Sequence, residues 1–194
     1  MRLWRKLHSL SSNLSSNLAL SLNHFELFSL SPKFDIELAT LESNFRKIQS
    51  ESHPDRFVSA SSAEKLQSMQ LATLANEAYQ ILKNPANRAK YLLELQGIEA
   101  ISETNTAMPL DFLMQQMEWR ESLEDAKAAK DINALENLLR EMQQEAKLLQ
   151  SEIAVLIDQK QDYTSETDAT RKLVFIDKVV ADINKAIEQL EANL

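Results

Sequence analysis

The sequence predicts an all-α protein: a helical hairpin unit followed by an antiparallel three-helix bundle. Two observations carry most of that expectation. The first is punctuation: one glycine and four prolines serve 194 residues. These residues mark turns and strand ends, so their scarcity leaves long helices and few tight turns. The second is periodicity, since apolar residues recur at intervals of three and four, the spacing of one helix face. Hydrophobic residues make up 44% of the chain, enough to build a core.

The elements follow in order. A short helix falls around residues 22 to 30, with Phe25 and Phe28 three apart. A second begins after Asp35, a candidate N-cap, and its Leu38, Leu41, Phe45 and Ile48 make one stripe; Arg46 and Lys47 are its basic residues. A third runs from about Ser62 to Lys83, with Leu66, Met69, Ala72, Leu74, Ala75, Ala78, Tyr79 and Leu82 as its apolar face. Asn84-Pro85 stops it, because proline disfavours helix in the residue before it, and a short fourth helix, "NRAKYLLELQ", follows. The polar stretch 97–108 carries the lone glycine and reads as a linker. Beyond it, three longer helices are expected: Pro109 to about Lys130, Ile132 to about Gln159, and Thr167 to the end, with "DYTSETD" as the last turn. Their core candidates are Leu135, Leu138, Leu139, Met142, Leu148, Leu149, Ile153 and Leu156, then Leu173, Ile176, Val180, Ile183, Ile187 and Leu190. Residues 1–21 precede all of this as a flexible or targeting segment, rich in serine, with Arg2, Arg5 and Lys6 and no acid before Glu26.

Composition excludes several functions. A phosphate-cradling loop or dinucleotide fingerprint needs several glycines, and the absence of cysteine excludes disulfides and thiolate metal ligands. Residues 1–108 are charge-neutral, with 11 acids and 11 bases, whereas 109–194 hold 18 acids and 10 bases and so carry the whole net charge of −8. No basic face for nucleic acid is expected. The apolar run "NLALSL" is too short and interrupted for a membrane span.

One loop stands out: "QSESHPDRF", residues 49–57, between the second and third helices. Pro54 biases His53 out of helix, ending the preceding helix near Ser52, and Asp55 is placed to accept backbone N–H bonds in a local turn. The result is an exposed tip presenting an imidazole and a carboxylate. As a metal site it lacks ligands, because the other histidines, His8 and His24, lie near the N-terminus. As a catalytic pair it lacks a nucleophile and a pocket. A plain connector and a protein contact both remain open on these residues alone.

The flanks resolve the choice. With Arg46 and Lys47 before it and "NEAYQILKNPANRAKYLL" after it, "HPDRF" resembles the loop of a J-domain. Together with "FLMQQMEWRESLED" and "RKLVFIDKV", the chain from about residue 22 to 191 resembles the HscB type of iron–sulfur-cluster co-chaperone. The resemblance implies a J-domain over 22–96, a linker over 97–108 and a scaffold-binding bundle over 109–194. It implies two partners, an ATP-driven chaperone of the HscA/DnaK class and an iron–sulfur scaffold protein of the IscU type, with no cofactor, metal or catalysis of its own. The chaperone contact would fall on His53, Pro54 and Asp55, supported by Arg46, Lys47 and Arg56. Ser52 departs from the aromatic residue that such domains often carry before the histidine. The scaffold contact would fall on Leu113, Met114, Met117, Glu118, Glu121, Asp125 and Phe175. The alternative is a general J-protein with an unrelated client. The absence of a cysteine-rich N-terminal module points to bacterial cytoplasm, with the mitochondrial matrix as the alternative.

The bundle residues also have a reading of their own. Leu113, Met117, Glu121 and Asp125 repeat every four residues, with Met114 and Glu118 alongside, so the stripe begins apolar and turns acidic. On these residues alone, core packing for the apolar members and a solvated face for the acids is the favoured reading, and Phe175 alone reads as core. Methionine is also adaptable enough to suit a binding surface.

Overall fold

A computed structural model describes residues 22–100 and 108–192, and its backbone divides into two compact units, up to Arg88 and from Ala89 onward. Among the described residues there are seven α-helices and no strand. The expectations for residues 1–21 and for most of the 97–108 linker lie outside the described residues.

In the first unit, α1 (His24–Leu27) is closed by a capping box: Glu26 N–H donates to Asn23 Oδ1 at 2.9 Å, and Asn23 N–H to Glu26 Oε2 at 3.0 Å. α2 (Leu38–Glu51) and α3 (Ser62–Lys83) form the hairpin. α2 starts later than expected, after Glu37, and Asp35 is not its cap. Small residues on α3, Ser68, Ala75 and Ala78, let α2 approach closely, and Leu41, Ile48 and Leu82 fill the seam. Phe45 of α2 stacks on Tyr79 of α3, with centroids 4.1 Å apart and planes 9° from parallel, while Phe28 meets Phe45 edge-on at 6.3 Å. Two residues expected on the inner face of α3 point outward: Leu66 is 56% and Met69 63% exposed. Ser68, Ala75 and Leu82 define the inner stripe at seven-residue spacing, which turns Leu66 and Met69 to the far side of the helix.

α4 (Pro85–Leu95) begins on the proline itself, two residues before the expected start. It ends at Gly97, whose φ of 74° is a left-handed cap. The Gly97 N–H reaches Glu94 O and the Ile98 N–H reaches Leu93 O.

The second unit contains α5 (Leu110–Ala128), α6 (Ile132–Val155) with a π-helical extension (Leu156–Lys160), and α7 (Tyr163–Glu191). The α6 core stripe is Leu135, Leu138, Met142, Leu149 and Ile153; Leu148, expected inside, is 61% exposed. On α7 the buried stripe is Ala169, Leu173, Ile176, Val179, Ile183 and Ala186, so Val180, Ile187 and Leu190 fall to its half-buried flank.

The last turn was expected across "DYTSETD", but α7 already begins at Tyr163. The reversal is confined to Gln161 and Asp162: Gln161 adopts φ 56°, and the Asp162 side chain caps Ser165 N–H at 3.2 Å. That hydrogen bonding from Ser165 holds the Asp162 carboxyl below its ordinary value. Lys130 makes the other bundle turn in the same way, at φ 54°. Left-handed turns without glycine carry no sequence marker, which is why the turn was misplaced.

Glu166, in the first turn of α7, is fully buried, and neither carboxyl oxygen has a hydrogen-bond partner. Burial pushes its pKa from an ordinary 4.5 up to about 8; the Thr170 hydroxyl, one turn on but short of good hydrogen-bond geometry, opposes the rise, and Asp158 adds to it. The native state therefore holds this proton more tightly than the unfolded chain. Its contribution is fullest below pH 4.5 and is lost as pH rises to about 8, by up to about 1.4 kcal/mol per pH unit. Glu166→Gln removes that loss, so its stability advantage over the wild type should grow with pH across this window in urea unfolding. An advantage that stays constant with pH would show that the carboxyl does not titrate there.

Candidate functional site

Two places qualify, one in each unit. In the first unit the loop after α2 is built on Ser52, which is buried although residues 53–56 beyond it are exposed. Its hydroxyl donates to Ile48 O at 2.8 Å, closing the end of α2, and its carbonyl accepts the buried Ser68 hydroxyl of α3 at 2.7 Å. That second bond ties the root of the loop to the opposite helix. Ser68 was missed in the sequence, where its signal was a polar residue at heptad spacing with Ala75 and Leu82.

Beyond Ser52 the backbone turns outward. His53 is extended, with φ −65° and ψ 132°, and Pro54 opens a 3₁₀ turn (Pro54–Phe57). Asp55 was expected to accept backbone N–H bonds; instead its own N–H donates to His53 Nδ1 at 3.3 Å. The imidazole thus caps the turn. Asp55 Oδ2 lies 3.5 Å from Nδ1, and the carboxylate is 87% exposed. The tip therefore offers solvent an imidazole N–H, a proline ring and a carboxylate, held by the Arg56 N–H to His53 O bond at 3.0 Å.

The basic residues around it differ in their partners. Arg46 pairs with Glu42 one turn back on α2 and is 74% exposed. Lys47 is exposed, and Arg56 makes a long contact of 3.4 Å with Ser50 O. The structure thus places His53, Pro54, Asp55 and Arg56 on one tip, with Arg46 and Lys47 one to two turns back along α2.

In the second unit α5 buries Phe112, Trp119, Leu123 and Ala126. Other apolar residues of α5 face outward: Leu110 is 73%, Leu113 40%, Met114 57% and Met117 72% exposed. Glu118, Glu121 and Asp125 continue the ridge in the exposed state. Leu110 was missed, though it extends the same stripe by one turn.

Phe175 of α7 sits differently. It is half-buried, 5.8 Å edge-on from Phe112 and 6.3 Å from Trp119 in a stacked arrangement. Trp119 is fixed in turn by its indole N–H, which donates to Glu141 Oε1 of α6 at 2.8 Å. Phe175 is therefore one wall of an aromatic cluster that reaches the surface beside the α5 ridge.

Among the described residues no group of three or more histidine or acidic side chains is arranged to hold a metal ion. None of the described helices is long and apolar enough to cross a membrane.

Ser68→Ala removes the tie between α3 and the loop root. A buried carbonyl losing its partner costs about 1–3 kcal/mol, so the urea midpoint should fall and amide exchange over residues 53–57 should quicken. Unchanged exchange there would show that helix packing alone orders the loop.

Residues 108–193 match the family described as HSCB C-terminal oligomerisation domain. The co-chaperone protein HscB homolog of Paraburkholderia phymatum is 46% identical over 169 residues, covering 87% of this chain and 96% of that protein. The Burkholderia thailandensis homolog is 47% identical over the same length. Among solved structures, chaperone HscB from Vibrio cholerae superposes with a TM-score of 0.75 at 36% identity, covering 87% of this chain and 99% of that one. The human co-chaperone HscB gives 0.77 at 26%, covering 84% and 81%.

Proposed function

The chain belongs to the HscB family of co-chaperones, and from that premise we propose that it couples an ATP-driven chaperone to an iron–sulfur scaffold protein. It acts as an adaptor in cluster assembly, with no catalysis of its own. The segment 22–96 works as a J-domain: its His53-Pro54-Asp55 tip, with Arg56 beside it and Arg46 and Lys47 along α2, docks on a chaperone of the HscA/DnaK class and stimulates ATP hydrolysis there. The bundle at 109–194 holds the scaffold, so that hydrolysis acts on the right client. The observation that carries this reading is the exposed ridge Leu110, Leu113, Met114 and Met117.

Physical chemistry supports the ridge as a contact surface. Each large apolar side chain fully covered by a partner gains roughly 1.5–3 kcal/mol. Four such residues on successive turns, lying outside the bundle core, offer a substantial gain to whatever covers them. Glu118, Glu121 and Asp125 then extend the contact toward a basic patch on the scaffold. The bacterial cytoplasm is the compartment we assign, supported by relatives from Paraburkholderia and Burkholderia.

Chaperone ATPase rates with each protein added alone and together test the whole scheme. Stimulation by this chain and the scaffold jointly, above the sum of the two, is the expected result. Stimulation indifferent to the scaffold would indicate a general J-protein with another client.

Two variants separate the halves. His53→Gln should abolish stimulation with an unchanged melt, since exposed substitutions usually shift stability within about 0.5 kcal/mol; retained stimulation would reduce the loop to a connector. Leu113→Ala combined with Met114→Ala should leave the melt near wild type and weaken scaffold binding, because both side chains lie outside the buried core, Leu113 40% and Met114 57% exposed. Were they core residues, each truncation would cost about 2–5 kcal/mol and the bundle would melt early.

A further inference from the structure

From Leu110 to Ala126, α5 carries the acids Asp111, Glu118, Glu121, Glu124 and Asp125 and a single base, Arg120. Glu124 stands one turn on, the usual position for an ion pair within a helix. It pairs instead with Lys127 at 2.8 Å, and among the described residues no carboxylate lies within ion-pair distance of Arg120. The guanidinium lies over the ring of Phe175, 5.4 Å from its centroid. Lys172 of α7 covers Phe112 in the same manner at 5.4 Å.

The aromatic cluster is thus capped by two cations, at the border of a ridge whose other charges are negative. A guanidinium held over a ring face keeps its N–H donors, which lie in its own plane and remain available for a bidentate carboxylate. Arg120 is exposed, so a docking partner can reach it. It also lies seven residues from Leu113, which puts both on the same stripe of α5, two turns apart.

We propose that Arg120 is a specificity-determining residue of the scaffold face: it covers Phe175 in the free protein and binds a carboxylate of the docked scaffold. This rests on the reading of α5 as that face. The surface is then divided by charge, with Glu118, Glu121 and Asp125 calling for bases and the Arg120 edge calling for an acid. A scaffold docked in the reversed orientation would bring like charges together, which opposes it.

Calorimetric titration of a purified IscU-type scaffold into wild-type protein, R120A, R120E, R120K and the Leu113→Ala/Met114→Ala double variant tests the assignment. R120E should weaken binding by about tenfold or more, R120A by less, and R120K least. The salt dependence of affinity should be shallower in R120A, which a purely structural role would not produce. A scaffold variant with the matching carboxylate changed to lysine should recover affinity for R120E. Wild-type affinity and salt dependence in the Arg120 variants, with binding lost in the double variant, would overturn the role of Arg120 and leave the scaffold face standing. Unchanged binding in all of them would overturn both. If R120E melts early, R120A and R120K decide: equal affinity at wild-type melting temperature sinks the proposal, and graded loss sustains it.

Discussion

Helices satisfy their backbone hydrogen bonds internally, and that constraint governs where this chain can meet another molecule. With no strand among them and a single glycine in the whole sequence, the described residues offer a ligand no strand edge and no glycine-lined cradle. Contact is left to side chains at two kinds of place: the tips where helices reverse and the outer stripes they do not bury. Both candidate surfaces are of these kinds. The His53–Asp55 loop is a tip, and the Leu110–Met117 ridge is an outer stripe.

Each is made rigid by groups that do not themselves face the partner. The loop has almost no burial of its own, yet its root is held by two serine hydroxyls, Ser52 on Ile48 O and Ser68 on Ser52 O. The imidazole then caps the turn through Asp55 N–H. The serine before the histidine thus anchors through hydrogen bonds where an aromatic side chain would anchor through packing. In the bundle, Trp119 plays the corresponding part, bonded to Glu141 and stacked on Phe175. Ordering is completed on folding, so docking at either surface would lose less conformational freedom.

Much of this was legible in the sequence, and the failures share a cause. The long helices, the hairpin and the position of the loop follow from periodicity and from Pro54, Pro85 and Gly97. The bundle turns did not, because Lys130 and Gln161 take left-handed conformations without glycine; a reader looking for glycine finds a polar run such as "DYTSETD" instead. Faces were misjudged where apolar residues outnumber core positions. Leu66, Met69 and Leu148 match a helical stripe loosely, but small Ser68 and Ala75 occupy the true seam because closely packed helices leave little room there. Hydrophobicity located the core, and side-chain size decided its orientation. The role of Ser68 depends on a carbonyl sixteen residues away, and no local pattern reveals that.

The charge asymmetry between the two halves acquires a physical sense from the α5 ridge. A run of exposed apolar side chains invites nonspecific association unless it is short and bordered by charge. Here the ridge spans two helical turns and passes directly into Glu118, Glu121 and Asp125, so the acids that would steer a basic partner also keep the free surface from pairing with itself. Arg120 over Phe175 shields an aromatic ring that reaches this surface. Exposure of Leu113 and Met114 is tolerable because their charged neighbours restrict what can cover them. Selectivity and solubility therefore draw on the same residues, and neutralising the acids would weaken both together.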